Sequence, residues 1–184
     1  MALLTAWRRV TAAACAAALA VAAASAAQAP EEEVRAAFLY NFTKFVEWPP
    51  PSGPRGERFR MCIFADEHFT HVVDAIVKGE SVGARPLVVE TPEEPEQARA
   101  CHVLFLSSTE DEAGRMLTAV KDLPVLTVGD SPHFLHQGGA IQFVLENRRV
   151  RFDISLPAVE RAGLRVSSNL LRVARTIRQD GAGQ

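Results

Sequence analysis

Histidine, cysteine and clustered carboxylates have the widest chemical range of the side chains, and this 184-residue chain groups few of them. His68 and His71 are spaced by three, as are His133 and His136, so each pair can present two imidazoles on one helical face for a metal ion. Neither pair has a cysteine or carboxylate that completes a recognisable ligand set, and ordinary surface or loop histidine is the competing reading. Asp66 and Glu67 follow an apolar run of strand length. An acidic pair there would face the crevice where open α/β sheets bind ligands, or would be solvated loop carboxylate. Ser107, Ser108 and Thr109 would line the same crevice or cap the next helix, and capping is the simpler role. The stretch Phe64-Ala65-Asp66-Glu67-His68 holds no glycine, so neither a dinucleotide fingerprint nor a P-loop is present. Gly138-Gly139 reads as a turn, and no Gly-x-Ser-x-Gly elbow occurs. The expectation is a binding protein rather than an enzyme, with no cofactor and no metal.

The remaining reactive groups are cysteines, and their meaning depends on compartment. Arg8 and Arg9 form a short positive region, Val10 to Ala24 is uncharged and alanine-rich, and Ala24-Ser25-Ala26 offers small residues to a signal peptidase. This is the layout of a secretory signal peptide over residues 1–26, against the alternative of an alanine-rich helix kept in the domain. A membrane-spanning helix needs about 20 strongly apolar residues, which this run lacks. The flanks of Arg8-Arg9 match twin-arginine export poorly. Cys15 then leaves with the leader, and Cys62 and Cys101 remain in the oxidising periplasm, where cysteines in even number pair. Joined, they close a loop of about 40 residues worth about 4 kcal/mol. Two buried thiols are the other reading.

Elements must position these groups. Glu31 to Trp48 reads as a helix, with Val34, Phe38, Phe42 and Phe45 at spacings of three and four and acidic residues in its first turn. Pro49-Pro50-Pro51 ends it and opens a loop to Gly56. Strands are expected at 59–65, 85–90, 102–107 and 125–128, with helices at 68–78 and 110–122 and a possible short one before Ala100. Short apolar strands alternating with helices predict an α/β fold: a single compact domain, its mostly parallel sheet flanked by helices. Residues 140–145 and 150–155 flank Glu146-Asn147-Arg148-Arg149 as a C-terminal β-hairpin. Helices at 156–162 and 167–178 follow, Gly163 ending the first. The domain occupies residues 33–178, after a lead-in at 27–32 and before a disordered tail at 179–184. With strand order 2-1-3, the start of the first strand, holding Cys62, lies beside the start of the third, next to Cys101. Their Cα atoms would fall within the roughly 7 Å that a disulfide needs.

Surface features narrow the partner class. A net charge of −2 gives no sign of a nucleic-acid surface. Tyr40 falls off the aromatic face of the first helix and Trp48 sits at its end against prolines, so both are candidates for a binding surface. Arg148, Arg149, Arg151, Arg161, Arg165, Arg172, Arg175 and Arg178 gather in the last third, as a solvated face or an anion- and partner-binding patch.

Two blocks carry a resemblance. Residues 34–49, reading VRAAFLYNFTKFVEWP, and the set GGAIQF (138–143), VRFDI (150–154) and AGLRVSSNLL (162–171) resemble the YfiR-like (HmsC-like) periplasmic regulators. The resemblance runs from about Glu33 to Val173. It implies a compact α/β sandwich that forms homodimers and represses an inner-membrane diguanylate cyclase by binding its periplasmic region. Cyclic di-GMP and biofilm formation fall as a result, and an outer-membrane lipoprotein can sequester the repressor. It also implies a disulfide at Cys62 and Cys101, whereas a second disulfide found in some members has no counterpart here. Asp153, Arg165 and Ser167 lie in the second block and are candidates for a ligand or partner pocket, with Trp48 and the proline turn for a partner-facing surface. A structural role at the hairpin-to-helix junction and at the end of the first helix competes for each. The alternative function is a periplasmic small-molecule binding accessory subunit of a sensor or transporter.

Overall fold

The computed structural model describes residues 29–50 and 57–179. The expected signal peptide at 1–26, most of the proline loop and the end of the tail lie outside them.

Helix α1 (Ala29–Phe45) opens with Glu31 and Glu32 in its first turn and closes with Lys44 in its last, each sign at the end the helix dipole favours. Its buried stripe is Ala36, Leu39, Phe42 and Thr43, whereas Val34 and Phe45 are exposed. The expected face was therefore rotated: the inward stripe centres on Leu39 and Phe42, and Val34 and Phe45 drift to its flanks. The helix also stops before Trp48. Val46 is buried and extended, and β1 (Val46–Glu47) pairs antiparallel with β9 (Arg165–Val166). Trp48, held out of the helical region by Pro49, continues that extended path.

The main sheet is built from β2 (Phe59–Phe64), β3 (Ser81–Val82), β4 (Arg85–Glu90), β5 (Val103–Leu106), β6 (Leu126–Gly129), β7 (Ile141–Glu146), β8 (Arg149–Ser155) and β10 (Thr176–Arg178). Its order is β10-β8-β7-β6-β5-β2-β4-β3. Strands β4, β2, β5, β6 and β7 run parallel, β7 and β8 form the antiparallel hairpin, and β10 runs parallel to β8. The expected α/β class and the 2-1-3 order of the first three strands both hold. Helices α2 (Glu67–Val77), α3 (Glu110–Ala119), α4 (Leu156–Arg161) and α5 (Ser168–Val173) complete the fold with a 3-10 turn at Gln97–Ala100.

All four residues of β5 are buried because both sheet faces are covered. Val103 and Phe105 join the layer with α1 and α2, while Leu104 and Leu106 join Ala113, Met116, Leu117 and Phe134 on the other side. Phe38 and Phe42 meet Phe152 at ring separations of 5.4 and 5.1 Å, which seats α1 on the hairpin. The Phe134 ring lies between Gly129 and Gly139, where a Cβ would come within 2.4 and 2.2 Å of it. Gly139, expected only to turn the chain, is needed for this close approach; the turn itself belongs to Gly138 at φ +98°.

Asn147 and Arg148 have φ of 51° and 58°, and Glu146 pairs with Arg149. This is a two-residue primed turn, whose twist matches the strands it joins. The C-terminal expectation needs correction. The helix after Ser167 ends at Val173, and Thr176–Arg178 forms a strand. The free edge of β8 offered a ladder to a segment with β-branched Thr176 and Ile177, and Arg175 N–H already donates to Phe152 O at 2.8 Å. Strands β1, β3 and β9 were also missed, being only two residues long.

Candidate functional site

At the strand ends the chain's own side chains bind one another, beside a small cleft of about 180 Å³ that Glu31, Arg35, Asp130 and Val150 help to line. Asp66 caps α2, accepting from Phe69 N–H at 2.9 Å, and Thr109 caps α3 in a reciprocal capping box with Glu112. Ser107 donates instead to Asp130 Oδ2 at 2.8 Å. The same oxygen accepts from Arg35 Nη1 at 2.9 Å, and Arg35 Nη2 reaches Glu31 Oε1 at 2.6 Å. Arg35 thus carries α1 onto the ends of β5 and β6, where a ligand would enter an open sheet of this order. Sequence reasoning named neither Arg35 nor Asp130, since 95 residues separate them.

At the opposite end of the strands lies an aromatic and basic cluster. The Trp48 ring meets Phe59 edge-on at 5.0 Å, and Phe59 stacks on His102 at 4.5 Å. Trp48 Nε1–H donates to His102 O at 3.1 Å, and Arg60 N–H donates to His102 Nδ1 at 3.1 Å. Arg85 Nη1 lies 2.9 Å from His102 Nε2. The neighbouring Cys101 is bonded to Cys62, their Cα atoms 5.9 Å apart, so the disulfide is present where the strand order placed it. Trp48 is half-buried, one edge against this cluster. His102 is buried rather than available at the surface.

The other expected site residues stand on separate elements. The Tyr40 hydroxyl donates to Glu80, and this hydrogen bond, followed by desolvation and the Glu80 charge, holds the phenol above its usual range; Lys44 Nζ sits 4.0 Å above the Tyr40 ring. Asp153 is buried and receives Arg175 through both of its oxygens, Nε–H to Oδ1 at 2.8 Å and Nη2–H to Oδ2. Arg175 also lies 3.6 Å from Glu146, and these acids push its guanidinium further toward the charged form. Arg165 is exposed on β9, paired in register with Glu47. Ser167 caps α5 through Leu170 N–H, and its own N–H donates to Phe45 O at 2.9 Å. Each of the three residues of the second block therefore has its own partners, and no hydrogen bond joins Asp153, Arg165 and Ser167. The face of β7 and β8 opposite α1 carries Val144, Glu146, Arg149, Arg151 and Asp153, a mixed-charge surface in which Arg175 is already paired.

Histidines 68, 71 and 133 are exposed and each lies within 4.0 Å of a glutamate: Glu32, Glu67 and Glu110 respectively. Among the described residues no group of three or more histidine, cysteine, aspartate or glutamate side chains is placed to hold a metal ion. No helix among them is long and apolar enough to cross a membrane.

A family profile described as YfiR/HmsC-like matches residues 32–175. Among solved structures, a conserved domain protein from Vibrio cholerae O1 biovar El Tor aligns at 10% identity and a TM-score of 0.49, over 66% of this chain and 55% of that one. The ABC domain from Streptococcus pneumonia, solved with L-Trp, aligns at 5% identity and a TM-score of 0.45, over 65% and 55%. This chain thus spans just over half the length of either.

Proposed function

The chain belongs to the YfiR/HmsC-like family, and from that premise we propose that it is a periplasmic regulator that represses an inner-membrane diguanylate cyclase by binding its periplasmic region. Cyclic di-GMP and biofilm formation fall when the repressor is engaged, and an outer-membrane lipoprotein sequesters it to release the cyclase. The observation that carries this reading is the extent of the family match, which runs from Glu32 in the first turn of α1 to Arg175 and includes both sequence blocks. Export is supported by the leader-like residues 1–26 and by a disulfide, a bond that persists in oxidising compartments. A non-enzymatic role is supported by the side chains at the strand ends, which are engaged with one another in caps and ion pairs.

The proposed contact surface includes Trp48, which directly follows β1, and Arg165 on β9, the strand that pairs with β1 beside the end of α1. Tyr40 lies on the same helix, and Asp153 and Ser167 serve to hold the elements that present this surface. The homodimer is part of the same proposal. Deleting the gene should raise cyclic di-GMP and surface attachment, and restoring the wild-type chain should lower both. The exposed variant Arg165→Glu should restore them incompletely and should retain less cyclase in a pull-down from membranes with tagged mature protein. Unchanged cyclic di-GMP in the deletion strain, under conditions where the protein is expressed, would refute the reading.

A further inference from the structure

A second cleft lies away from the surfaces described above, where the end of α3, the turn at residues 136–138 and α4 come together, and it encloses about 510 Å³. That volume is within the range of small-molecule sites, roughly 300–1,000 Å³. Its walls are apolar where Leu117, Val120, Val125 and Ala158 face it, and polar residues, Thr118 and Thr127 among them, make up the rest of the lining. Lys121, Asp122, His136 and Arg161 are the titratable residues that line it.

Three features set this cleft apart from an ordinary solvated groove. The side chains of Lys121 and Arg161 make no hydrogen bond or ion pair among the described residues, whereas those of Arg35, Arg60 and Arg175 are each matched to a carboxylate. Gln137 Oε1 is buried without a hydrogen-bond partner, an acceptor that ordinarily finds a donor. Gly138 has φ +98°, which favours glycine, and the Arg161 guanidinium lies beside it, 3.7 Å from where a Cβ would stand.

The sign of the ligand follows from the charges. Helix C-termini are electronegative, and α3 and α4 both end at the cleft. Several of their last carbonyls are engaged within the chain. Val120 N–H donates to Met116 O and Lys121 N–H to Thr118 O, while Ala162, Gly163 and Leu164 N–H donate to the carbonyls of Ala158, Glu160 and Val159. What remains is two unpaired cations against Asp122, with His136 adding a third in its charged form. We propose that this cleft binds a small organic anion, its head held by Arg161 and Lys121 and its apolar body against Leu117, Val120, Val125 and Ala158. Such a site would give the protein an input separate from its partner surface, and its occupancy is measurable on the isolated chain whether or not a cyclase is the partner.

The test is calorimetry on the disulfide-bonded mature protein with 3-phenylpropionate, its neutral amide and inorganic phosphate. Saturable binding of 3-phenylpropionate is expected, with the amide silent because it lacks the charge. The double variant Lys121→Gln/Arg161→Gln should weaken that binding by about tenfold or more, through loss of charge-assisted contacts. Both residues are exposed, so the variant should keep its thermal midpoint, and Arg149→Gln on the hairpin should bind as the wild type does. No saturable binding of either anion up to about 10 mM, the weak end of specific affinity, would overturn the proposal. Binding that survives the double variant, or that the amide shares, would overturn it equally. Phosphate binding without 3-phenylpropionate would remove the apolar body from the assignment and overturn it as stated.

Discussion

Reducing the Cys62–Cys101 bond should cost this domain about as much stability as any single covalent change can. The two cysteines are 39 positions apart, so the bond closes a loop of about 40 residues. In the chain-entropy account such a loop removes about 13 cal/mol/K from the unfolded chain, or about 4 kcal/mol at 25 °C. Both cysteines are buried, at 2% and 0% exposure, so replacing them with alanine adds a packing loss to the loop effect. Comparing oxidised wild type, reduced wild type and Cys62→Ala/Cys101→Ala separates the two, because the reduced protein keeps its sulfurs. Urea titrations followed by Trp48 fluorescence should place the reduced protein about 4 kcal/mol below the oxidised one, a fall of roughly 8–16 °C in Tm. The slope with urea should steepen on reduction, since an uncrosslinked unfolded chain exposes more surface. The native emission should change little in reduced protein below the transition, because Trp48 is held through the His102 carbonyl and not through sulfur. Oxidised and reduced forms within about 1 kcal/mol of each other would refute the loop-entropy reasoning.

Three further outcomes follow from contacts elsewhere. Tyr40 is the sole tyrosine, so tyrosinate absorbance reports it alone, and its midpoint should lie above pH 10, the ordinary value, and fall in Glu80→Gln. Because the folded pKa is raised, the stability from this bond is complete below the unfolded pKa and is lost as pH rises through the folded one; a midpoint unmoved by Glu80→Gln would contradict the assignment. Gly139→Ala should destabilise by about 2 kcal/mol, since its Cβ would overlap the buried Phe134 ring, and a cost below about 0.5 kcal/mol would show that the ring can move aside. Arg175→Ala leaves the buried Asp153 carboxylate without its two-point partner, so urea unfolding should show a loss of about 2 kcal/mol; a loss near zero would mean that water satisfies Asp153.

Much of this protein was legible along the chain because its signals are local. Apolar runs such as Val103–Leu106 and turn chemistry at Asn147-Arg148 act over a few residues, and so does a capping threonine followed by Glu112 three positions later. From these came the α/β class and the hairpin; the 2-1-3 order was taken from the doubly wound topology that such alternation adopts, and the expectation that Cys62 and Cys101 meet followed from it. The two long motif blocks marked the family without any contact being known.

What only the tertiary structure decided depends on partners distant in sequence. Thr176–Arg178 became a strand because the edge of β8 was free to take it, a fact no local pattern contains. Arg35 meets Asp130 across the mouth of the sheet, and Arg161 comes to lie beside Gly138 although each reads alone as an unremarkable surface residue. Local propensity decides which segment becomes which element, since its energies are those of neighbouring dihedrals. Which side chains share a cleft is decided by packing, where a stretch of chain is held by whatever the fold brings beside it.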